Sequence, residues 1–284
     1  MSGPLVLKFG GELLEDRGHL ATVVGAVRAI AVDESIESLV IVHGGGKEID
    51  AALARAGIAK RQVDGLRITD EATLDVVVSV LAGAVNTRLV AALNAAGVRA
   101  VGLTGADARC GLSTLAPAHR TVDGQTVDLG RVGVPAGDSE TALLETLVRD
   151  GFVPVVACIG AGAGGELYNV NADTLAGHLA ARLRARRLVI AGTTPGVLDA
   201  AGAAMPLLDV PAIHAIVNDG TATAGMIAKL RACEQALAAG VDDVVIVDGR
   251  NQQALVTAAT SEAPAFATRL VPTGSAKALA ERKI

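Results

Sequence analysis

Lys8 closes a short apolar run, Leu5 to Leu7, and is followed by Phe9, Gly10 and Gly11. A second apolar run, Leu39 to Val42, ends in His43, Gly44, Gly45 and Gly46. Both read as strands that end in a phosphate cradle. Glycines let backbone N–H groups approach an anion closely, and a helix starting just after them adds the positive end of its dipole. Lys47, Glu48, Ile49 and Asp50 begin such a helix after Gly46. Lys8 would bring a fixed positive charge to a transferring phosphoryl group, which suggests phosphotransfer.

Three further places carry polar groups that local structure does not fully explain. Arg67 sits in Gly65, Leu66, Arg67, Ile68, Thr69, Asp70, ahead of a long Ala- and Val-rich helix, where its guanidinium could clamp a carboxylate through two bonds. Thr69 or Asp70 would cap that helix. Asn169, Asn171 and Asp173 cluster at another helix start, and capping accounts for only one of them. Lys229 lies in the first turns of a third helix, where a lysine opposes the dipole unless an anion is nearby.

Two familiar nucleotide signatures do not apply. Gly160, Gly162 and Gly165 fit GxGxxG after an apolar run, but the segment continues as a glycine-rich loop through Glu166 to Asn169. The stretch where an acid should follow holds Arg184, Arg186 and Arg187 instead. No GxxxxGK[ST] run occurs.

The positioning elements follow from composition and pattern. Apolar residues make up 51% and charged residues 19% of the 284, which excludes a disordered chain. Short β-branched runs alternate with longer Ala- and Leu-rich segments, the pattern of an α/β fold with a mainly parallel central sheet. Strands are expected near 4–9, 38–43, 98–103, 153–158, 187–191 and 243–247, and helices at 17–32, 46–57, 71–96, 138–150, 172–184 and 225–239. Residues 121–128 alternate around Asp123-Gly124 as a hairpin would, an antiparallel flap beside the main sheet. The length suits two lobes, 1–160 and 161–272, with a frayed tail over 273–284.

A formal charge of −5 and only four aromatic residues give neither a basic field nor stacking platforms, so nucleic acid is not expected as a partner. Cys110, Cys158 and Cys233 show no CxxC spacing, and the five histidines lie far apart, so neither a disulfide framework nor a zinc site is expected. No apolar run in the sequence reads as reaching the roughly 18 residues of a membrane span. The expectation is a cytoplasmic enzyme.

The chain resembles the amino-acid kinase superfamily and, within it, the acetylglutamate kinases of arginine biosynthesis. The resemblance runs from about Leu5 to Val271. It rests on the order of KFGG at Lys8, VHGGG ending at Gly46, GLRITD at Gly65, AVGLTG at Ala100, NVNAD over 169–173, AGMIAK ending at Lys229 and VDGR ending at Arg250. It implies an αβα sandwich, with N-acetyl-L-glutamate in the N-terminal lobe and ATP with Mg²⁺ in the C-terminal lobe. The γ-carboxylate would take the γ-phosphoryl group, and no general base is needed because a carboxylate is already ionised at neutral pH.

By the same resemblance, Lys8 and Lys229 would stabilise the transferring group and Asp173 would hold both lysines. Gly10, Gly11, Gly44 and Gly45 would cradle oxygens, and Arg67 and Asn169 would grip the groups on the substrate's α-carbon. The hairpin near 120–134 would act as a lid. Relatives commonly carry an aspartate where this chain has Gly192, Thr193, Thr194, Pro195 and Gly196, and Lys-Asp-Gly where it has Ala106 to Arg109. Lys8 stands almost at the N-terminus, with no helix before it of the kind that resembles a hexamerising, arginine-sensing element. A homodimer with little arginine inhibition is therefore expected. The alternatives are a carboxylate kinase acting on an aminoadipate derivative or aspartate, and a non-catalytic nucleotide-binding protein of the same fold.

Overall fold

The structure, a computed structural model, describes residues 3–121, 123–199, 201–218, 223–261, 264 and 266–274. The tail expected over 273–284 lies outside the described residues from 275 onward.

Strands β1 (Leu5–Phe9) and β2 (Leu39–His43) are buried along their whole length, so they show in the sequence as unbroken apolar runs rather than alternating ones. They form the middle of an eight-stranded sheet. Its other strands are β3 (Ala100–Thr104), β4 (Val153–Ala157), β5 (Arg187–Gly192), β6 (Leu207–Asp209), β7 (Val244–Asp248) and β8 (Ala267–Val271), and the spatial order is β6-β8-β7-β5-β1-β2-β4-β3. Every neighbouring pair is parallel except β7 with β8. Full burial of side chains such as Phe9, Ile41 and Leu53 stabilises the fold by about 1.5–3 kcal/mol each.

The helices are α1 (Arg17–Ala31), α2 (Gly46–Arg55), α3 (Glu71–Val78), α4 (Asn86–Ala95), α5 (Ala142–Arg149), α6 (Ala172–Arg182), α7 (Val210–Asn218), α8 (Ala224–Ala238) and α9 (Gln252–Thr260). One face of the sheet carries α4 and α9 with α1 packed on both, and the other carries α5, α6 and α8, giving the αβα sandwich. Asp16 starts α1, Asp70 starts α3 and Asn171 starts α6, each accepting backbone N–H bonds worth about 1 kcal/mol.

Three expectations are corrected. The helix expected over 71–96 is not regular: Ser79–Val85 between α3 and α4 is π-helical. The wider turn shifts the register so that Val80, Leu81 and Val85 are buried while Asn86 enters the sheet's end. The whole segment Glu71–Ala95 is also long and apolar enough to cross a membrane by length and composition, contrary to the sequence reading. Here it packs on α1, α2, β3 and β4.

Second, residues 160–168 are not a loop. Ile159–Ala161 and Leu167–Val170 pair antiparallel, with Ile159 opposite Asn169 and Gly160 opposite Tyr168, and the chain turns through Gly162 to Gly165, Gly165 at φ +90°. These two strands continue into Val132–Pro135 and Ser113–Leu115 as a four-stranded flap sheet. The hairpin expected around Asp123-Gly124 does form, His119–Arg120 against Thr126–Val127. Third, β6, α7, α9 and β8 went unread; they complete the sheet's far edge.

At the opening end of β5, Arg187 pairs with Asp243 at 2.6 Å and donates to the carbonyls of Ala258 and Ser261, and Arg269 reaches the other Asp243 oxygen at 2.8 Å. This buried network ties β5, β7, β8 and α9 together. At the closing end of β2, His43 is fully buried. Asn86 Nδ2 donates to its Nε2 at 3.0 Å, which leaves Nδ1–H to donate to the Gly44 carbonyl at 3.1 Å.

Burial pushes the His43 pKa from 6.5 down to about 4. The unfolded chain therefore binds the proton first, so His43 favours folding above pH 6.5 and loses that contribution as pH falls toward 4. Urea unfolding should show wild type losing about 2 kcal/mol more than His43→Gln between pH 7.5 and pH 5. Equal losses would mean that His43 does not fold in the neutral form.

Candidate active site

The register Phe9 opposite His43 and Lys8 opposite Val42 makes both glycine loops leave the sheet at one level. Gly44 N–H donates to the Phe9 carbonyl at 3.1 Å and Gly10 N–H to the Ala191 carbonyl at 3.0 Å, so each loop is anchored to a neighbouring strand. The loops then touch backbone to backbone. A Cβ on Gly11 would stand 2.5 Å from Gly45 Cα and 2.8 Å from Gly46 N, closer than such atoms approach, so only glycine fits there. Gly45 is the cap position of α2 and offers no side chain to its first turn.

Lys8 is the single charged residue of β1, and its ammonium lies 2.8 Å from Asp173 Oδ1. Lys229 on α8 lies 3.5 Å from the other oxygen, Oδ2. The three side chains are 8%, 15% and 14% exposed for Lys8, Lys229 and Asp173, so the charges sit largely out of water. Burial alone would lower the Lys8 pKa, but the Asp173 charge and hydrogen bond, with Glu12 adding, hold it above its ordinary value. Burial would likewise raise Asp173, and the two lysines more than reverse that, to about 2. Asn171 accepts from the N–H groups of Asp173 and Thr174 at 2.9 and 3.1 Å, which fixes the first turn of α6 on which Asp173 stands.

A cavity of about 240 Å³ opens beside this cluster, walled by Lys8, Gly10, Gly11, Glu12, Gly44, Gly45, Gly46, Arg67 and Asn169 among others. Arg67 Nη2 donates to Asp50 Oδ1 at 2.5 Å and to the Gly46 carbonyl at 3.2 Å, while its buried Nη1 finds no hydrogen-bond partner among the described residues. Asn169 donates to Thr69 Oγ1 at 3.1 Å. Gly192 ends β5 next to Lys229, and Arg250 donates to the Thr193 carbonyl at 2.9 Å. Cys158 also lines the cavity, and burial pushes its thiol up to about 12.

Lys8, Gly10, Gly11, Gly44, Gly45, Arg67, Asn169, Asp173 and Lys229, the site residues expected from the sequence, thus meet at the closing ends of β1, β2 and β5. The sequence reading missed Glu12, Asp50 and the His43–Asn86 pair. Glu12 had a local signal, an acid directly after two glycines. Asn86 had none, because it lies 43 positions from its partner.

The model of the amino acid kinase family matches residues 3–248. An acetylglutamate kinase from Geotalea daltonii is 41% identical over 258 residues, covering 89% of this chain and 86% of that protein. One from Methylobacterium nodulans is 39% identical over 257 residues, covering 89% and 83%. Among solved structures, N-acetylglutamate synthase from Neisseria gonorrhoeae, complexed with coenzyme A and N-acetyl-glutamate, superposes with a TM-score of 0.78 at 24% identity over 95% of this chain. This chain spans 59% of that synthase. Carbamate kinase from Giardia lamblia, bound to citric acid, shares the fold with a TM-score of 0.64 at 14% identity, covering 95% and 99% of the two chains. With a family match over most of its length and 41% identity to a relative across 89% of it, the chain belongs to the amino acid kinase family.

Proposed function

We propose that this chain transfers the γ-phosphoryl group of ATP to the γ-carboxylate of N-acetyl-L-glutamate, giving N-acetyl-L-glutamyl 5-phosphate in arginine biosynthesis. The observation that carries it is Asp173 bridging Lys8 and Lys229 beside two touching glycine loops, in a chain 41% identical to an acetylglutamate kinase. Its relatives do not favour an aminoadipate, aspartate or non-catalytic reading.

The difficulty of the reaction is bringing two anions together. Lys8 and Lys229 meet charge on the transferring group, and Asp173 keeps both ammonium groups aimed without neutralising them fully. Gly10, Gly11, Gly44 and Gly45 present backbone at van der Waals range, where a side chain would block approach. The free Nη1 of Arg67 takes the α-carboxylate of the substrate, and the Asn169 amide holds its acetylamino group. No base is required, since the attacking carboxylate is already ionised.

Residues 1–160 form the lobe for the amino acid and 161–272 the lobe for ATP, with the flap hairpin as a lid. Mg²⁺, when bound, neutralises phosphate charge. Among the described residues no group of three or more His, Cys, Asp or Glu side chains could hold a metal ion. Mg²⁺ takes most of its shell from phosphate and water with one or two carboxylates, and Glu12 on the cavity wall could supply one. We also propose a cytoplasmic homodimer.

Purified protein with ATP, Mg²⁺ and hydroxylamine should form hydroxamate with N-acetyl-L-glutamate and far less with glutamate, aspartate or N-acetyl-aminoadipate. A different preferred acid would overturn the substrate, and silence with all four would overturn the enzyme reading.

Lys8→Ala and Lys229→Ala should each lower kcat by about 10²-fold or more while the protein stays folded. Unchanged turnover in either would remove that lysine from the reaction.

Asp173→Ala leaves two buried ammonium groups without a counter-charge and should cost about 3–5 kcal/mol in urea unfolding at neutral pH. The Asp173 pKa is depressed from 3.8 to about 2, so its contribution is fully present above pH 3.8 and is lost as pH falls toward 2. A variant as stable as wild type at neutral pH would show that the lysines do not need it.

A further inference from the structure

Glu12 stands on the cavity wall close to both lysines. It lies on the single 3-10 turn Gly11–Leu13, where its two neighbours are buried and its own side chain faces the cavity. A side chain on Gly10 would run into its carboxylate. A Cβ on Gly192 would stand 3.4 Å from Glu12 Oε1 and 3.9 Å from Lys229 Nζ, so the acid and the lysine flank one point at the end of β5. Among the described residues the Glu12 carboxylate makes neither a hydrogen bond nor an ion pair, although its field reaches Lys8. Glu15 lies close by under the fields of Lys47, Glu48 and Glu12, and Glu48 is itself paired with Arg88.

Among the described residues Glu12 is the one acid that lines the cavity, and the aspartates around it are already committed. Asp173 is held by Lys8 and Lys229, Asp50 by Arg67 and Lys60, and Asp248 by Arg250. Asp173 claims part of the charge of both lysines, so these cannot balance a triphosphate and a carboxylate substrate together. An uncommitted acid at the same point would add repulsion unless a cation stands between it and the phosphates.

We propose that Glu12 is the side chain through which this chain holds the divalent cation that accompanies ATP. The inference rests on the phosphotransfer reading above. Glu12 supplies one hard oxygen ligand from the wall between Gly10 and Gly192, and the phosphates and water supply the rest of the shell. It thereby turns a charge that repels free nucleotide into one that selects the metal complex. This chain reads the cation directly, in addition to reading phosphate through lysine and backbone.

The test is nucleotide binding without turnover, by calorimetry on full-length wild type and Glu12→Gln, with ATP in excess Mg²⁺ and with ATP in EDTA. Wild type should prefer the metal complex. Glu12→Gln should bind the metal complex about ten-fold more weakly and bind metal-free ATP equally or more tightly, so that the preference collapses. Glu12→Ser gives the same reading if Glu12→Gln does not fold. A variant that tightens both forms by the same factor, keeping the wild-type preference, would show Glu12 to be only a repulsive neighbour and overturn the proposal. Wild type that binds ATP in neither condition would instead bring down the phosphotransfer reading, and this inference with it.

Discussion

One carboxylate shared between two buried ammonium groups sets the terms for the rest of this structure. Lys8 comes from the central strand, Lys229 from a helix over 200 positions later, and Asp173 from the first turn of α6 between them. A lone lysine taken out of water pays a large desolvation cost or gives up its proton. Two of them side by side would also repel. Asp173 removes both problems at once, yet it cannot satisfy two positive charges completely. The surplus is what an anion can use, and it stays aimed because α6 and α8 pack on each other and on the face of the sheet that β1 helps to form.

That surplus is useful only if phosphate and carboxylate oxygens come close, and here backbone replaces side chain. Gly11 against Gly45 brings the two loops into contact, and the in-register pairing of β1 with β2 puts both at one height. His43 and Asn86 work behind the loop: a buried neutral imidazole takes a hydrogen bond from Asn86 and gives one to the Gly44 carbonyl. The π-helical turn Ser79–Val85 is the local distortion that directs Asn86 to that point. Charge, loop and support are therefore built from three separate stretches of chain, joined by the sheet.

What the sequence made legible were features whose physics is local. An unbroken apolar strand ending in glycines, an acid or amide at a helix start, and an Asp-Gly hairpin all declare themselves within about ten residues. Lys8, Arg67, Asn169, Asp173 and Lys229 were found because each was out of place in its own segment. The structure adds what arises only between segments: Asn86 reaching His43, Arg67 bonded to Asp50, and the sharing of Asp173. The glycines at 160, 162 and 165 show the opposite error. Their spacing fits a nucleotide signature that the sequence itself refuses, but glycine content suggests a loop where Gly160 is a strand residue paired with Tyr168 and only Gly162 to Gly165 turn the chain.

The two ends of the sheet divide the work. At the opening ends of β5 and β7, Arg187, Asp243 and Arg269 form a closed network in which the charges are paired with each other and with carbonyls. At the closing ends the pairing is deliberately incomplete: among the described residues Arg67 keeps a free Nη1, Glu12 has no side-chain partner, and the lysines share one acid. Open charges of this kind cost stability, and a parallel sheet permits them because its strands are held along their length by burial on both faces. The closed network and the apolar strands carry the fold, which frees the opposite rim to keep the unpaired groups that a ligand completes.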